Sequence, residues 1–165
     1  MTPLTFEIPQ RITQILAAAS GLPAWIENVQ IQTGLPLPLI PVSQIIISSA
    51  GSELLDKVEQ VGYPRVAVHT AKVENTLREK FRSLSGNASA EIVISASANL
   101  LQQAEQNLHY YIEAVTDILS GNTGDWGEGM FFSGQFEVQL QPPKPGGVGF
   151  VQTATVTCTI ALSRN

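Results

Sequence analysis

Along Gly149–Leu162 the chain alternates with a two-residue period. Phe150, Ala154, Val156, Cys158, Ile160 and Leu162 fall on one side, and Thr153, Thr155, Thr157 and Thr159 on the other. Successive strand residues point to opposite faces, so this pattern demands a sheet with one buried and one wet face, the antiparallel habit. Gln135–Gln141 repeats it, with Phe136, Val138 and Leu140 set against Gln135, Glu137 and Gln139. The stretch between them, Pro142–Gly149, is rich in Pro and Gly and longer than a tight turn, so it projects as a hairpin tip.

Two strands precede this pair. Arg65–Thr70 places Val66 and Val68 on one face and Arg65, Ala67 and His69 on the other, and Ala90–Ser97 is the second. Their connection, Ala71–Gly86, exceeds the roughly two to five residues of an ordinary hairpin and reads as an arm or a lid. Asn99 then opens a long helix, with Gln102 placed for a capping box. Leu101, Ala104, Leu108, Tyr111 or Ile112, Val115 and Leu119 follow one face, and Gly121 ends it. About twenty helical residues span roughly 30 Å, enough to cover a four-stranded sheet. The fold class is therefore α+β, an antiparallel four- to five-stranded sheet covered by one long helix. Residues 63–165 form the β-β-α-β-β domain, and residues 1–62 supply N-terminal helices and a Pro-rich arm packed on it.

In the N-terminal part, Ile8, Ile12, Ile15, Leu16 and Ala19 repeat at helical spacing over residues 8–20, with Pro9 in the first turn and Gly21 and Pro23 as stops. Gly34–Pro41 has alternating prolines that forbid helix and central strand, leaving an extended arm. Its leucines, Leu35, Leu37 and Leu39, have two destinations: the domain's own sheet, or a neighbour. Gln44–Ser48 is a short strand, and Ser52 caps a helix Glu53–Val61 that closes at Gly62 and Pro64.

The 165 residues are 44% hydrophobic and 14% charged, enough for one domain with a core. No run approaches the roughly 18 apolar residues of a membrane span, and the start lacks the pattern of a signal peptide. Cys158 is the single cysteine, a buried small hydrophobe suited to a reducing compartment. A net charge of −5 argues against a grip on nucleic acid. The charge is also uneven. Lys72, Arg78, Lys80 and Arg82 crowd together beside Glu74 and Glu79, whereas no Lys or Arg occurs from Ser83 to Pro143, where Glu91, Glu105, Glu113, Asp117, Asp125, Glu128 and Glu137 lie. Such a distribution reads either as an ordinary solvated face beside an ordinary basic loop or as two complementary surfaces, as a head-to-tail contact between identical subunits requires.

Chemistry finds little footing. The two histidines, His69 and His109, form no metal spacing, and Gly146–Gly149 lacks the Lys-Ser/Thr of a phosphate loop. Asp125 and Glu128 lie between glycines without the regular acid spacing of a Ca²⁺ loop, and no Ser occurs in Gly-x-Ser-x-Gly. No enzyme activity, metal or cofactor is expected. Trp126, Met130, Phe131 and Phe132 form an unusual apolar group in a loop, from which Phe132 is assigned to the core and Trp126 to a partner.

Four segments carry a family likeness: Tyr63–Val68, Asn75–Arg82, the helix ending Tyr110–Leu119, and the hairpin closing on Phe150–Ala154. With them, the layout of the last hundred or so residues resembles the tail terminator family of long-tailed bacteriophages. The resemblance implies a homohexameric ring that caps the tail tube, ends its polymerisation and joins tail to head at the neck. It implies as partners further copies of the chain, the tail tube protein, the sheath where the tail contracts, and head–tail connector proteins. DNA would pass through the lumen without specific binding, and the protein would reside in the virion after assembly in the host cytoplasm. The expected subunit and tube interface is Leu35, Leu37, Leu39, Lys72, Arg78, Lys80, Arg82, Asp125, Trp126, Glu128 and Lys144. The first sixty or so residues depart from the family layout and leave open another neck or connector ring component. The rival from another class is a non-viral binding module working through the loop around Trp126.

Overall fold

The computed structural model describes residues 2–57, 61–146 and 149–165. Its centre is two long antiparallel strands, β3 (Leu84–Ala98) and β7 (Gly149–Arg164). Outside β3 lie β2 (Arg65–Glu74) and then β1 (Ile45–Ile47); outside β7 lie β5 (Met130–Leu140) and β4 (Gly124–Gly127). A short β6 (Lys144–Gly146) pairs with the start of β7. The α+β class holds. The sheet has seven strands rather than four or five, and it is mixed, because β1 runs parallel to β2.

Three strand connections expected to be loops are partly strand: Ala71–Gly86, the Gly-rich loop after the long helix, and Pro142–Gly149, where β6 pairs with β7. Between Thr70 and Lys72 a bulge shifts the register, so the helix-facing residues pass from Val66, Val68 and Thr70 to Val73. One extra residue breaks the two-residue period, and the strand looks finished where it merely changes phase. The loop shrinks to residues 75–83. At its root, any side chain on Gly86 would collide with the Glu74 carbonyl oxygen, so only glycine lets the two strands approach there. Likewise the Gly-rich loop is the hairpin β4–β5, turning through Glu128 (φ 53) and Gly129 (φ 76). Two successive positive φ values match the twist of the flanking strands.

All the helices of any length lie on one face. α1 (Leu4–Ala17) rests on β1 and β2, and α4 (Leu101–Ser120) on β3 and β7, so the cover expected of one helix is shared. α1 begins a turn earlier than expected, which puts Pro9 inside a bent helix. Proline has no N–H to give the Thr5 carbonyl; the Thr70 hydroxyl donates to it at 2.9 Å instead. α1 ends at Ala17, short of the expected residue 20, and Gly21 and Pro23 instead start α2 (Leu22–Thr33), since a proline in a first turn sacrifices no helical hydrogen bond. α4 starts at Leu101 with Leu100 as its N-cap and no side-chain cap, so the Asn99–Gln102 capping box does not form. The helix expected over Glu53–Val61 is seen as α3 (Ser52–Leu55); residues 58–60 lie outside the described residues, as do Gly147 and Val148 of the hairpin tip. Leu108, Val115 and Leu119 of α4 share one buried core with Ile8, Ile12 and Leu16 of α1, Leu22 and Ile26 of α2, and the helix-facing strand residues.

Candidate assembly surface

The registers place residues in rows across the sheet. Ile45, Val66, Ile94, Ala154 and Leu140 form one row; Ile47, Val68, Ile92, Val156 and Val138 form the next but one. Both rows face the helices, yet their β5 ends are open: Val138 is 36% and Leu140 45% exposed. The alternation of β5 is real, but the helix layer stops over β7, so the expected buried face of Phe136, Val138 and Leu140 is only half covered.

The margins of the sheet are stepped. β1 pairs only with Val66–Val68 and leaves the outer side of β2 without a strand from His69 to Glu74. β4 pairs only with Met130–Phe132 and leaves the outer side of β5 without one from Ser133 to Leu140. The Gln141 N–H bonds to Thr153 O across the β5–β7 ladder at 2.9 Å. Backbone groups alternate sides along an antiparallel strand. Hence the N–H and C=O groups of Val138 and Leu140 point away from β7, into the open margin.

The predicted interface residues sort into three groups. The first belongs to the molecule's own interior, contrary to expectation. Leu37 is buried in the core with Ile40; Gln30 Nε2 donates to Leu37 O at 2.5 Å and the Tyr111 hydroxyl to Pro38 O at 2.6 Å. The arm is therefore bound to its own domain, with Leu35 half-buried and Leu39 exposed. Trp126 is 8% exposed; its indole N–H donates to Asn122 O at 2.7 Å and its ring packs on Phe132, centroids 5.1 Å apart. An indole with both its apolar body and its polar tip satisfied inside has nothing to offer a partner.

The second group meets at one end of the sheet. Arg78, Lys80 and Arg82 lie on the β2–β3 loop, beside Leu77 and a 96% exposed Phe81. Asp125 and Glu128 lie on the β4–β5 hairpin at the same end, but at the opposite margin. Asp125 accepts from the Gly127 N–H at 2.8 Å, and Arg82 donates to Asn165 Oδ1 at 2.7 Å. The third group stands apart. Lys72 belongs to β2 and pairs with Glu74 at 2.6 Å, whereas Lys144 sits on β6 at the far end, exposed.

Among the described residues no long helix covers the other face of the sheet, where Thr153, Thr155, Thr157 and Thr159 are half-exposed. The Ser95 and Thr153 hydroxyls lie 3.1 Å apart, and His69 Nε2 lies 3.1 Å from Glu91. Beside this face sits a cluster that the sequence did not announce. Arg65 is 1% exposed; it meets Asp56 at 2.9 Å and the Tyr63 hydroxyl at 3.1 Å, and its guanidinium lies 4.2 Å from the Tyr63 ring centroid. Burial, reinforced by the hydrogen bond to Asp56, pushes the Tyr63 hydroxyl up to about 12. The only signal was an arginine inside an apolar strand, which by itself does not say where its partner lies.

Among the described residues no helix is long and apolar enough to cross a membrane, and no three His, Cys, Asp or Glu side chains gather as a metal site. Fold and surface define an α+β protein whose sheet is unfinished at both margins. No protein-family model matches the chain, and no curated protein matches it.

Proposed function

We propose that this chain is a structural component of a phage or prophage tail. Identical copies, six in number by the family resemblance, form a ring that caps the tail tube, ends its polymerisation and joins tail to head at the neck. The observation that carries this reading is the two-sided incompleteness of the sheet. Among the described residues unpaired backbone lies at both margins, with the loop of Arg78, Glu79 and Lys80 beside one and the hairpin of Asp125 and Glu128 beside the other. A surface that differs from its own complement associates head to tail, and a head-to-tail contact closes into a ring when the rotation allows. The charge asymmetry would orient the encounter of copies. Capping then needs only loops that bind the last tube ring and a far side that offers the next ring no purchase. The threonine-lined face and the net charge of −5 also suit a passage for DNA, since neutral hydroxyls and acids give phosphates no counter-charge to hold.

The experiment is deletion of the gene from its phage or prophage, with the particles viewed by electron microscopy. Tails of uncontrolled length, or finished tails separate from filled heads, are the expected result. Particles of normal length and normal joining from the deletion would end this reading.

A further inference from the structure

The two stepped margins are complements of each other. At the level of Ile45–Ile47 the molecule protrudes by one strand on its β1 side and is recessed by one on its β5 side. At the level of Met130–Phe132 the relation is reversed, because β4 protrudes and β2 is recessed. Two copies side by side in the same orientation would therefore interlock, each short strand filling the other's recess. Resting on the assembly reading above, we propose that β1 of one copy pairs antiparallel with Val138–Leu140 of β5 in a second copy, while β4 of the second lies against Lys72–Glu74 of the first.

Three observations converge on a second copy as the occupant. The outward N–H and C=O groups of Val138 and Leu140 form a ready ladder, and β1, three isoleucines without a charge or proline, is an edge that invites pairing. The rows match: Ile45 continues the row that ends at Leu140, and Ile47 the row that ends at Val138, so the half-exposed side chains meet apolar neighbours on the helix side. Charge agrees in sum, since Asp125 and Glu128 come beside a loop whose three bases, Arg78, Lys80 and Arg82, outnumber its one acid, Glu79, with Glu74 already held by Lys72 at 2.6 Å. The direction follows from the topology, because β1 and β5 run oppositely whenever the copies point the same way.

The test is the mass of the purified full chain by size exclusion with light scattering. The wild type should be several-fold heavier than 17.7 kDa. Val138→Pro removes one outward N–H and leaves the β5–β7 ladder intact. It should keep the wild-type circular dichroism and fall to the mass of a single copy. A Val138→Pro protein of wild-type mass overturns this pairing and leaves the assembly reading standing; a wild type of 17.7 kDa at every concentration overturns both. If the proline variant fails to fold, the double variant Ile47→Cys, Val138→Cys decides. Directly paired residues lie about 5.5 Å apart, within disulfide reach. Oxidation should give a ladder of covalent multimers on a denaturing gel, whereas a single-copy band, or one that stops at two copies, overturns the proposal.

Discussion

At the scale of single residues, burial writes itself into proton affinity. Desolvation pushes the Cys158 thiol from 9.0 up to about 12, and the Tyr63 hydroxyl from 10.0 to about 12. Each group keeps its proton in the folded chain after the unfolded chain has released its own. Between about pH 9 and 12 the unfolded state therefore binds fewer protons, and stability falls as pH rises. Denaturant midpoints measured across that window should decline steadily, and Tyr63→Phe should flatten the part above pH 10. A midpoint that does not move would mean these groups are wetter than the structure places them. Leu108, fully buried under α4, should cost about 2–5 kcal/mol on truncation to Ala in equilibrium unfolding. Its place was legible from helical spacing alone. The place of Trp126 was not: composition recorded a tryptophan among glycines, but the Asn122 carbonyl and the Phe132 ring that hold it reach it only through folding.

Individual elements were legible where one period ran uninterrupted, as in α4 and Gln152–Leu162 of β7, and obscured where it broke, as at the start of β7, where Phe150 is exposed and Val151 and Gln152 are both buried. The bulge in β2 hid four strand residues, and Pro9 suggested a helix start because nothing nearby in sequence shows that the Thr5 carbonyl it leaves free is met by Thr70, sixty-five positions from Thr5. The arm was left between two destinations because alternating prolines fix a backbone shape without fixing what it lies on. Here the structure decides residue by residue. Leu37→Ala should destabilise the chain by about 2–5 kcal/mol, whereas Leu39→Ala, 46% exposed, should stay within about 0.5 kcal/mol in the same unfolding assay. Deleting residues 34–41 outright should unfold the protein as judged by circular dichroism, since it removes both Leu37 and Ile40 from the core.

For the whole molecule, alternation specified a sheet and its two faces, but strand order depends on contacts distant in sequence. The parallel placement of β1 and the stepped margins were accordingly invisible in the chain. Charge segregation was visible, but of the seven acids the structure puts only Asp125 and Glu128 on the hairpin at the end that carries Arg78, Lys80 and Arg82; Glu91 and Glu137 lie in strands and Glu105, Glu113 and Asp117 on α4. Reversing Arg78 and Arg82 to Glu should weaken assembly most at low salt, where screening is least, as followed by mass across a salt series. Equal masses for variant and wild type throughout would remove charge from the account of assembly. Gly86 has a practical consequence of a different sort. The close approach it permits to Glu74 fastens the root of the β2–β3 loop, so the sheet does not feel what happens at the tip. A peptide tag spliced between Arg78 and Phe81 should therefore be carried by a normally folded chain. An antibody against the tag should then bind the single copy and be shut out wherever that loop is enclosed between copies.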